Sequence, residues 1–238
     1  MRKALTSTLL FSFCSFTVNS QKKMAFKWSP SGLYAGNISI QGEFAAGKHG
    51  SINIKAGIPS KKNYTPKFDD KDADFDVQTT SFLAGYRIYF SKRRLHGYYI
   101  EPYFKNVRFS ASGNGNTTLD NQPVVMNFNG DYKGNGIGIQ SGIQFTIAKI
   151  LVLDLYFLGP EYNISQINFK SVEVTNTIPW NNSQAGDAEQ KVRDFLDNIP
   201  VIGKKVNFEI DRNNRTVTAD YKGLLPGFRA GIAVGIMF

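Results

Sequence analysis

The sequence predicts an all-β protein, an antiparallel transmembrane β-barrel of about eight strands. Three observations predict this fold class. Apolar and polar residues alternate in one segment after another, which is the period of a β-strand. The rows opposite the apolar residues are rich in glycine and single polar groups, as the interior of a narrow barrel requires. Finally, no apolar run reaches the roughly 20 residues that a membrane-spanning helix needs.

The N-terminal segment, residues 1–20, is predicted to be a cleaved secretory signal peptide. Arg2 and Lys3 form its charged start. The run from 4 to 16 is apolar apart from small residues, and it is too short to cross a bilayer as a helix. Residues 21–238 would then form a single barrel domain.

Eight segments of the mature chain carry the alternation. Their apolar rows are predicted to face lipid, and the residues between them to face the barrel interior. A soluble β-sandwich also alternates, but its polar rows face water and are rich in charge, whereas these are rich in glycine. In chain order the apolar rows are Met24, Phe26 and Trp28; Ile38, Ile40 and Phe44; Ile52, Ile54, Ala56 and Ile58; Phe82, Ala84, Tyr86, Ile88 and Phe90; Tyr98, Ile100 and Phe104; Ile137, Ile139, Ile143, Phe145 and Ile147; Leu151, Leu153, Leu155 and Phe157; Phe228, Ala230, Ile232, Val234, Ile236 and Phe238.

The seventh of these segments contains a break in the alternation at Gly159–Pro160. Proline lacks the backbone N–H that a closed ladder of hydrogen bonds requires. We therefore expect a β-bulge at this point of the strand.

The connections between the segments fall into two lengths. Bacterial barrels have short periplasmic turns and long external loops, so both chain ends are predicted to be periplasmic. The short connections are 47–50, 91–96 and 148–149, and the long ones are 60–77, 111–133 and 170–225.

The longest connection, 170–225, is predicted to be an external loop with structure of its own. Residues 187–198 have a helical stripe of Val192, Phe195, Leu196 and Ile199, ended by Pro200. Val206, Phe208 and Ile210 then face Val217, Ala219 and Tyr221 across a polar turn, which indicates a hairpin. Two interpretations stay open: a recognition surface for a partner protein or glycan, and a cap packed over the barrel mouth.

Several segments resemble those of a known family. They are 36–39 followed by Glu43, 86–90, 97–103, 153–156 with Gly159–Pro160, and the closing 231–238. The chain is similar to the uncharacterised small outer-membrane β-barrels common in Bacteroidetes-type bacteria, which are related to OmpA-like and OmpX-like eight-stranded barrels. The resemblance implies an outer-membrane location and no established activity. Phe238 also resembles the C-terminal aromatic residue through which the barrel assembly machinery recognises its substrates.

The predicted interior contains charges of both signs. The candidate site residues are Lys55, Arg87, Glu101, Lys105, Asp154 and Arg229, with Lys27 and Glu43 in the same rows. One interpretation is a selective pore or proton path. The other is a paired polar core, since charges removed from water need partners. An eight-stranded barrel leaves little free bore, which favours the paired core.

The chain is basic, with a net charge of +9 and a pI near 9.5. Such a charge could indicate nucleic-acid binding. Export removes the chain from nucleic acid, however, and the basic residues are scattered along the sequence. We expect instead that the partners are outer-membrane lipids and lipopolysaccharide, whose anionic headgroups attract basic surfaces.

Two other chemistries are disfavoured by the sequence. The acidic run 69–76 begins like a calcium loop, but Phe75 stands where the turn glycine is needed and Ser81 where the bidentate glutamate is needed. We interpret it as a solvated acidic loop. Both histidines, His49 and His96, fall in or beside predicted periplasmic turns, away from the leaflet that contains lipid A. No metal, cofactor or catalytic set is therefore expected.

The sequence thus supports three hypotheses about function. The favoured one is a barrel with a structural or interaction role, which anchors its external loops and joins an envelope assembly. The second is a narrow channel for ions or small solutes, and the third is an enzyme that modifies lipid A. The third needs a base beside a nucleophile, which the sequence does not bring together.

Overall fold

The computed structural model describes residues 23–69, 71–197 and 206–238, so the predicted signal peptide lies outside the described residues. Within these ranges no helix has the length and apolar character needed to cross a membrane. The strands are β1 (Met24–Ser29), β2 (Asn37–Ala46), β3 (Gly50–Pro59), β4 (Lys62–Tyr64), β5 (Lys67–Phe68), β6 (Lys71–Tyr89), β7 (Gly97–Leu119), β8 (Gln122–Ile147), β9 (Leu151–Glu173), β10 (Asn207–Asp211) and β11 (Thr216–Met237). A 3-10 helix spans Pro30–Ala35 and an α-helix, α1, spans Asn182–Asp197.

Eight of these strands form a closed antiparallel ring in the order β1, β2, β3, β6, β7, β8, β9 and β11. The ring closes where β1 pairs with β11, for example Phe26 opposite Ile236. The predicted antiparallel barrel of about eight strands is therefore confirmed. One end of the ring carries the short turns and the first and last described residues, since the Lys23 backbone N–H donates to the Phe238 carbonyl at 2.8 Å. We call it the turn end.

The predicted apolar rows face outward. Large side chains on this surface are widely exposed: Phe26 by 52%, Ile137 by 68% and Phe228 by 64%. The alternate residues are buried inside the ring, among them Lys27, Arg87 and Asp154. The ring is thus apolar outside and polar inside, the reverse of a water-soluble domain.

A bulge interrupts β9, as the break in the alternation predicted. The pairing of β9 shifts against both neighbours, between Gly138 and Ser141 on β8 and between Arg229 and Gly231 on β11. The extra residue is accommodated by Leu158, whose φ of 49° is left-handed. After the bulge the inward row falls on odd residues, which brings Glu161 to the same side as Asp154.

The predicted loops 60–77 and 111–133 are wrong as loops, because strands occupy most of both segments. β7 and β8 continue past the ring and are joined only by Asp120–Asn121, whose φ values are 50° and 62°. Left-handed φ at both positions is the geometry of a tight hairpin turn that matches strand twist. Continuous pairing of the two strands therefore overrides the glycine- and asparagine-rich composition that suggested a loop.

The predicted loop 170–225 is also shorter than expected. β9 runs to Glu173 and β11 begins at Thr216, so the second arm of the predicted hairpin belongs to β11. The hairpin itself is present, with Phe208 opposite Ala219 and Ile210 opposite Val217.

Helix α1 begins five residues before the predicted start at 187. The Asn181 side-chain oxygen accepts from the Gln184 backbone N–H at 2.8 Å, and the Gln184 side-chain oxygen accepts from the Asn181 N–H at 3.1 Å. This reciprocal pair is a capping box, which satisfies N–H groups at a helix start. The predicted end of the helix at residue 198, with Ile199 and Pro200, lies outside the described residues.

The extended arms of β6 to β9 and β11, with β5, β10 and α1, enclose a second, apolar core. We call this unit the cap, and the end of the barrel that carries it the cap end. Val192 and Leu196 of α1 are almost fully buried in the core. Phe195 lies 5.7 to 6.3 Å, ring centre to ring centre, from Phe68, Phe75, Phe128 and Phe169. The described residues of the predicted helical stripe, Val192, Phe195 and Leu196, therefore pack inward, as the interpretation of a cap over the barrel mouth requires.

Candidate functional site

The interior of the ring near the turn end holds a network of five charged side chains, which we call the inner network. Its members are Lys27, Glu43, Arg87, Glu101 and Asp154, each on a different strand. Lys27 Nζ lies 2.6 Å from Glu43 Oε2 and 2.8 Å from Asp154 Oδ2. Arg87 Nη1 lies 2.7 Å from Asp154 Oδ2, and Arg87 Nε lies 2.8 Å from Glu101 Oε2. All five side chains are at most 1% exposed.

Neutral side chains complete the hydrogen bonding of the three carboxylates. Tyr89 donates to Glu43 Oε1 at 2.6 Å and Tyr99 donates to Asp154 Oδ1 at 2.7 Å. Asn53 and Gln140 each donate to Glu101 at 2.6 Å. Three carboxylates against two cations leave one negative charge, which these neutral donors stabilise.

The inner network crosses the bore of the barrel. Arg87 on β6 and Asp154 on β9 are three strands apart around the ring, yet their side chains are in contact. The Arg87 guanidinium also lies over the Tyr99 ring at 4.2 Å. Side chains therefore occupy the bore at this level.

Toward the cap end from this network lies a cavity of about 290 Å³, which we call the basic cavity. Lys55, Lys105 and Arg229 line it, with Glu161 as the one carboxylate. Lys105 forms an ion pair with Glu161. Lys55 donates to the Tyr156 hydroxyl at 3.1 Å.

No carboxylate among the described residues pairs with Arg229 in the basic cavity. Its guanidinium lies over the rings of Tyr156 at 4.9 Å and Tyr103 at 5.4 Å. Its Nη1 is buried, and no described residue accepts a hydrogen bond from it. Among the described residues, the direct partners of Lys55 and Arg229 are thus aromatic rings and a hydroxyl group, and neither cation forms an ion pair with a carboxylate.

The six predicted site residues all lie inside the ring, but the structure divides them. Arg87, Glu101 and Asp154 belong to the inner network, whereas Lys55, Lys105 and Arg229 line the basic cavity. Sequence reasoning missed Glu161 and the tyrosines that bridge the charges. The bulge carries the signal for Glu161, because shifting the alternation by one residue after Gly159–Pro160 turns Glu161 inward.

The residues weighed for other chemistries lie elsewhere. His49 and His96 are in the short turns at the turn end, and His49 Nδ1 lies 3.1 Å from the Ser91 carbonyl. Asp72, Asp74 and Asp76 are exposed on β6, so the acidic segment is solvated but is a strand and not a loop. In the described ranges, no three His, Cys, Asp or Glu side chains are placed to hold a metal ion.

Outside the ring, the Asp69 carboxylate links α1 to β7 within the cap. Asp69 Oδ2 accepts from Lys191 Nζ at 2.8 Å and from the Thr117 hydroxyl at 2.5 Å. Partial burial alone would raise the pKa of Asp69, but these hydrogen bonds outweigh it and hold the pKa below its usual range.

A closed ring, an apolar exterior and a charge-filled interior define an eight-stranded β-barrel with a capped end. No family model and no curated protein sequence matches the chain. A similar solved structure is that of CarO from Acinetobacter baumannii, with a TM-score of 0.43 and 9% sequence identity over 92% of this chain and 98% of that one. The resemblance to Bacteroidetes-type small barrels stays a prediction.

Proposed function

We propose that this protein is an integral outer-membrane barrel with a closed lumen, which holds the cap at the cell surface in a structural or binding role. One observation carries the proposal. The outward rows of neighbouring strands change from polar to apolar at adjacent positions, as they must where strands enter a bilayer.

The change occurs on strands β6 to β9 and β11. On β8 the outward row passes from Asp131, Lys133 and Asn135 to Ile137 and Ile139. On β11 it passes from Lys222 to Leu224, and on β9 from Gln166 to Ile164. These positions are neighbours in the sheet, since Asn135 and Leu224 both pair with Ile164. A common boundary of this kind is typical of a lipid surface, and monomeric soluble proteins rarely expose so large an apolar surface.

Aromatic residues mark the other boundary. Phe90 and Tyr98 flank the turn 91–96, with ring centres 5.7 Å apart, and Phe238 packs against Phe26 at 6.4 Å. Aromatic girdles are typical of the two interfaces of outer-membrane barrels. In the proposed orientation the turn end and both chain ends are periplasmic, and Phe238 is available to the assembly machinery.

The inner network favours a closed lumen rather than a channel. Contacts such as Lys27 to Asp154 and Arg87 to Asp154 cross the bore, and breaking them to admit ions would leave buried charges without partners. A lipid A-modifying activity has no support at the cap end, since both histidines are at the turn end. In this proposal the external role belongs to the cap, whose exposed surface would bind a protein, glycan or envelope partner.

Four measurements on the full chain test the proposal. We expect the protein in the outer-membrane fraction, a change in gel mobility on boiling, and no stable unitary current in planar bilayers. Surface proteolysis of intact cells should cleave the cap and spare the turn end. Recovery from the periplasm without a mobility change would refute the membrane location. A reproducible open level that disappears in Arg87→Gln would instead refute the closed lumen.

A further inference from the structure

We infer that the basic cavity is a binding site for a phosphate-type anion. The inference goes beyond the proposed function, because it assigns a ligand class to the interior of the barrel. It starts from a difference between the two groups of interior charges. The inner network has more carboxylates than cations, whereas the basic cavity has three cations and one carboxylate.

The surplus positive charge of the cavity is held close together. Lys55 contacts the Tyr156 hydroxyl, and the Arg229 guanidinium lies over the ring of the same tyrosine. Tyr156 is thus flanked by two cations, and Glu161 is already engaged by Lys105 and Tyr103. Burying two like charges side by side is costly without a counter-charge. An anion in the cavity would remove that cost.

The donors suit a phosphate group. Arg229 Nη1 is buried without an acceptor, and the Ser31 and Ser81 residues also line the cavity. A phosphate monoester carries a charge between about −1.5 and −2 at neutral pH, which matches the two cations that lack a carboxylate. A volume of about 290 Å³ admits a headgroup or a small solute, but not a large ligand.

The cavity also borders a gap in the strand pairing. β1 pairs with β11 only as far as Val234, and β10 pairs with it only from Asp220 toward Thr216. Between these points no described strand pairs with that edge of β11, and Arg229 lies within this stretch. The phosphate could therefore belong to a lipid that enters from the side or to a solute that enters from the cap end.

Binding to two probes tests the inference and separates the two sources. The full chain, folded in an uncharged detergent, is titrated calorimetrically with inorganic phosphate at constant ionic strength. In parallel, its unfolding temperature is followed in phosphatidylcholine vesicles with and without phosphatidic acid. We expect saturable binding of at least one probe. Binding of phosphate alone identifies a solute site, and stabilisation by phosphatidic acid alone identifies a headgroup site.

Matched variants attribute the binding to the cavity. Arg229→Gln and Lys55→Gln should each weaken binding about tenfold or more, because each removes a charge-assisted hydrogen bond. Lys222→Gln removes the same charge from an exposed position on β11 and should leave binding unchanged. If Arg229→Gln does not fold, binding is measured instead with Arg229→Lys, which keeps the positive charge.

Two outcomes would overturn the inference: no saturable binding of either probe, or an equal loss in Lys222→Gln and Arg229→Gln. The calorimetric arm does not require a membrane location. If the protein is found in the periplasm but binds phosphate, its location refutes the proposed function, and the binding still supports this site.

Discussion

The ring and the cap are built from the same strands but have opposite polarity. On β6 the inward row begins with Ala73, Phe75 and Val77 in the cap and ends with Arg87 and Tyr89 in the ring. The outward row of the same strand begins with Asp72, Asp74 and Asp76 and continues with Phe82, Tyr86 and Ile88. Both rows change character where the strand passes from one unit to the other.

The comparison teaches that the surroundings of a strand decide which of its rows is apolar. In the cap, water outside and α1 inside favour a polar exterior over an aromatic core. In the ring, a lipid exterior would favour the reverse, and the interior charges must then satisfy one another. The two units should therefore respond differently to substitution.

The largest expected effect is in the ring. Arg87→Gln leaves Glu43, Glu101 and Asp154 with Lys27 as the one cation of the inner network. Breaking a buried ion pair from one side costs about 3–5 kcal/mol. We expect a loss of this size in the free energy of unfolding, measured by urea titration in lipid vesicles. Arg108→Gln, on the exposed row of β7, should cost less than about 0.5 kcal/mol. Equal losses in the two variants would show that the inner network does not hold the ring together.

The next effect should be confined to the cap. Phe128 is fully buried and its ring centre lies 4.6 Å from that of Phe68. Phe128→Ala should destabilise the aromatic core by about 3–5 kcal/mol. We expect faster tryptic cleavage in α1, after Lys191 or Arg193, while the barrel keeps its mobility change on boiling. Ile178→Ala, at a 76% exposed position in the connection before α1, is the control. Loss of the mobility change in Phe128→Ala would mean that the two units unfold together.

The same change of polarity explains what the sequence could and could not predict about the fold. The ring strands were predictable because an apolar row faces outward in each of them. In the cap the apolar row is the inward one, such as Val124, Met126 and Phe128 on β8, opposite asparagines that suggested a loop. A search for outward apolar rows therefore ends where the cap begins.

The sequence predicts that the candidate site residues face the barrel interior, but not at which level along the barrel axis each of them lies. Alternation placed Lys55 and Arg87 inside, yet their separation into two groups depends on strand stagger, which alternation does not contain. Glu161 required applying the predicted bulge to every later residue of β9. The tyrosines that contact the interior charges were missed, because an inward tyrosine gives the same alternation whether or not its hydroxyl forms a hydrogen bond to a charged group.

A smaller effect is expected at the start of α1. Asn181→Ala removes the side-chain acceptor of the capping box and should cost about 0.5–2 kcal/mol of helix stability. Amide hydrogen exchange should be faster in the first turn of α1 and unchanged in the ring strands. Gln190→Ala, at an exposed position of the same helix, should leave exchange in that first turn unaltered. Faster exchange throughout the ring in Asn181→Ala would contradict the independence of the two units.

The smallest expected effect is a pH dependence that belongs to the cap. Hydrogen bonds from Lys191 and Thr117 lower the pKa of Asp69 in the folded protein, so the ionised carboxylate stabilises the attachment of α1. This contribution is fully present above the unfolded pKa, near 4, and is lost as the pH falls through the lower folded value. A partly exposed ion pair of this kind contributes less than about 1 kcal/mol.

Trp180 provides the measurement, because it is buried in the cap and its indole N–H donates to Glu173 at 2.7 Å. In a Trp28→Phe background its fluorescence reports urea unfolding of the cap alone. We expect the stability difference between the Asp69 and Asp69→Asn proteins to shrink as the pH falls from about 4 through the lower pKa of folded Asp69, below which both side chains are neutral. A difference that stays constant through this range would show that Asp69 stabilises α1 through its shape and not its charge. A stability difference that appears in the unfolding of the ring would show that the charge of Asp69 also affects the stability of the barrel. The opposite polarity of the two units argues against such an effect.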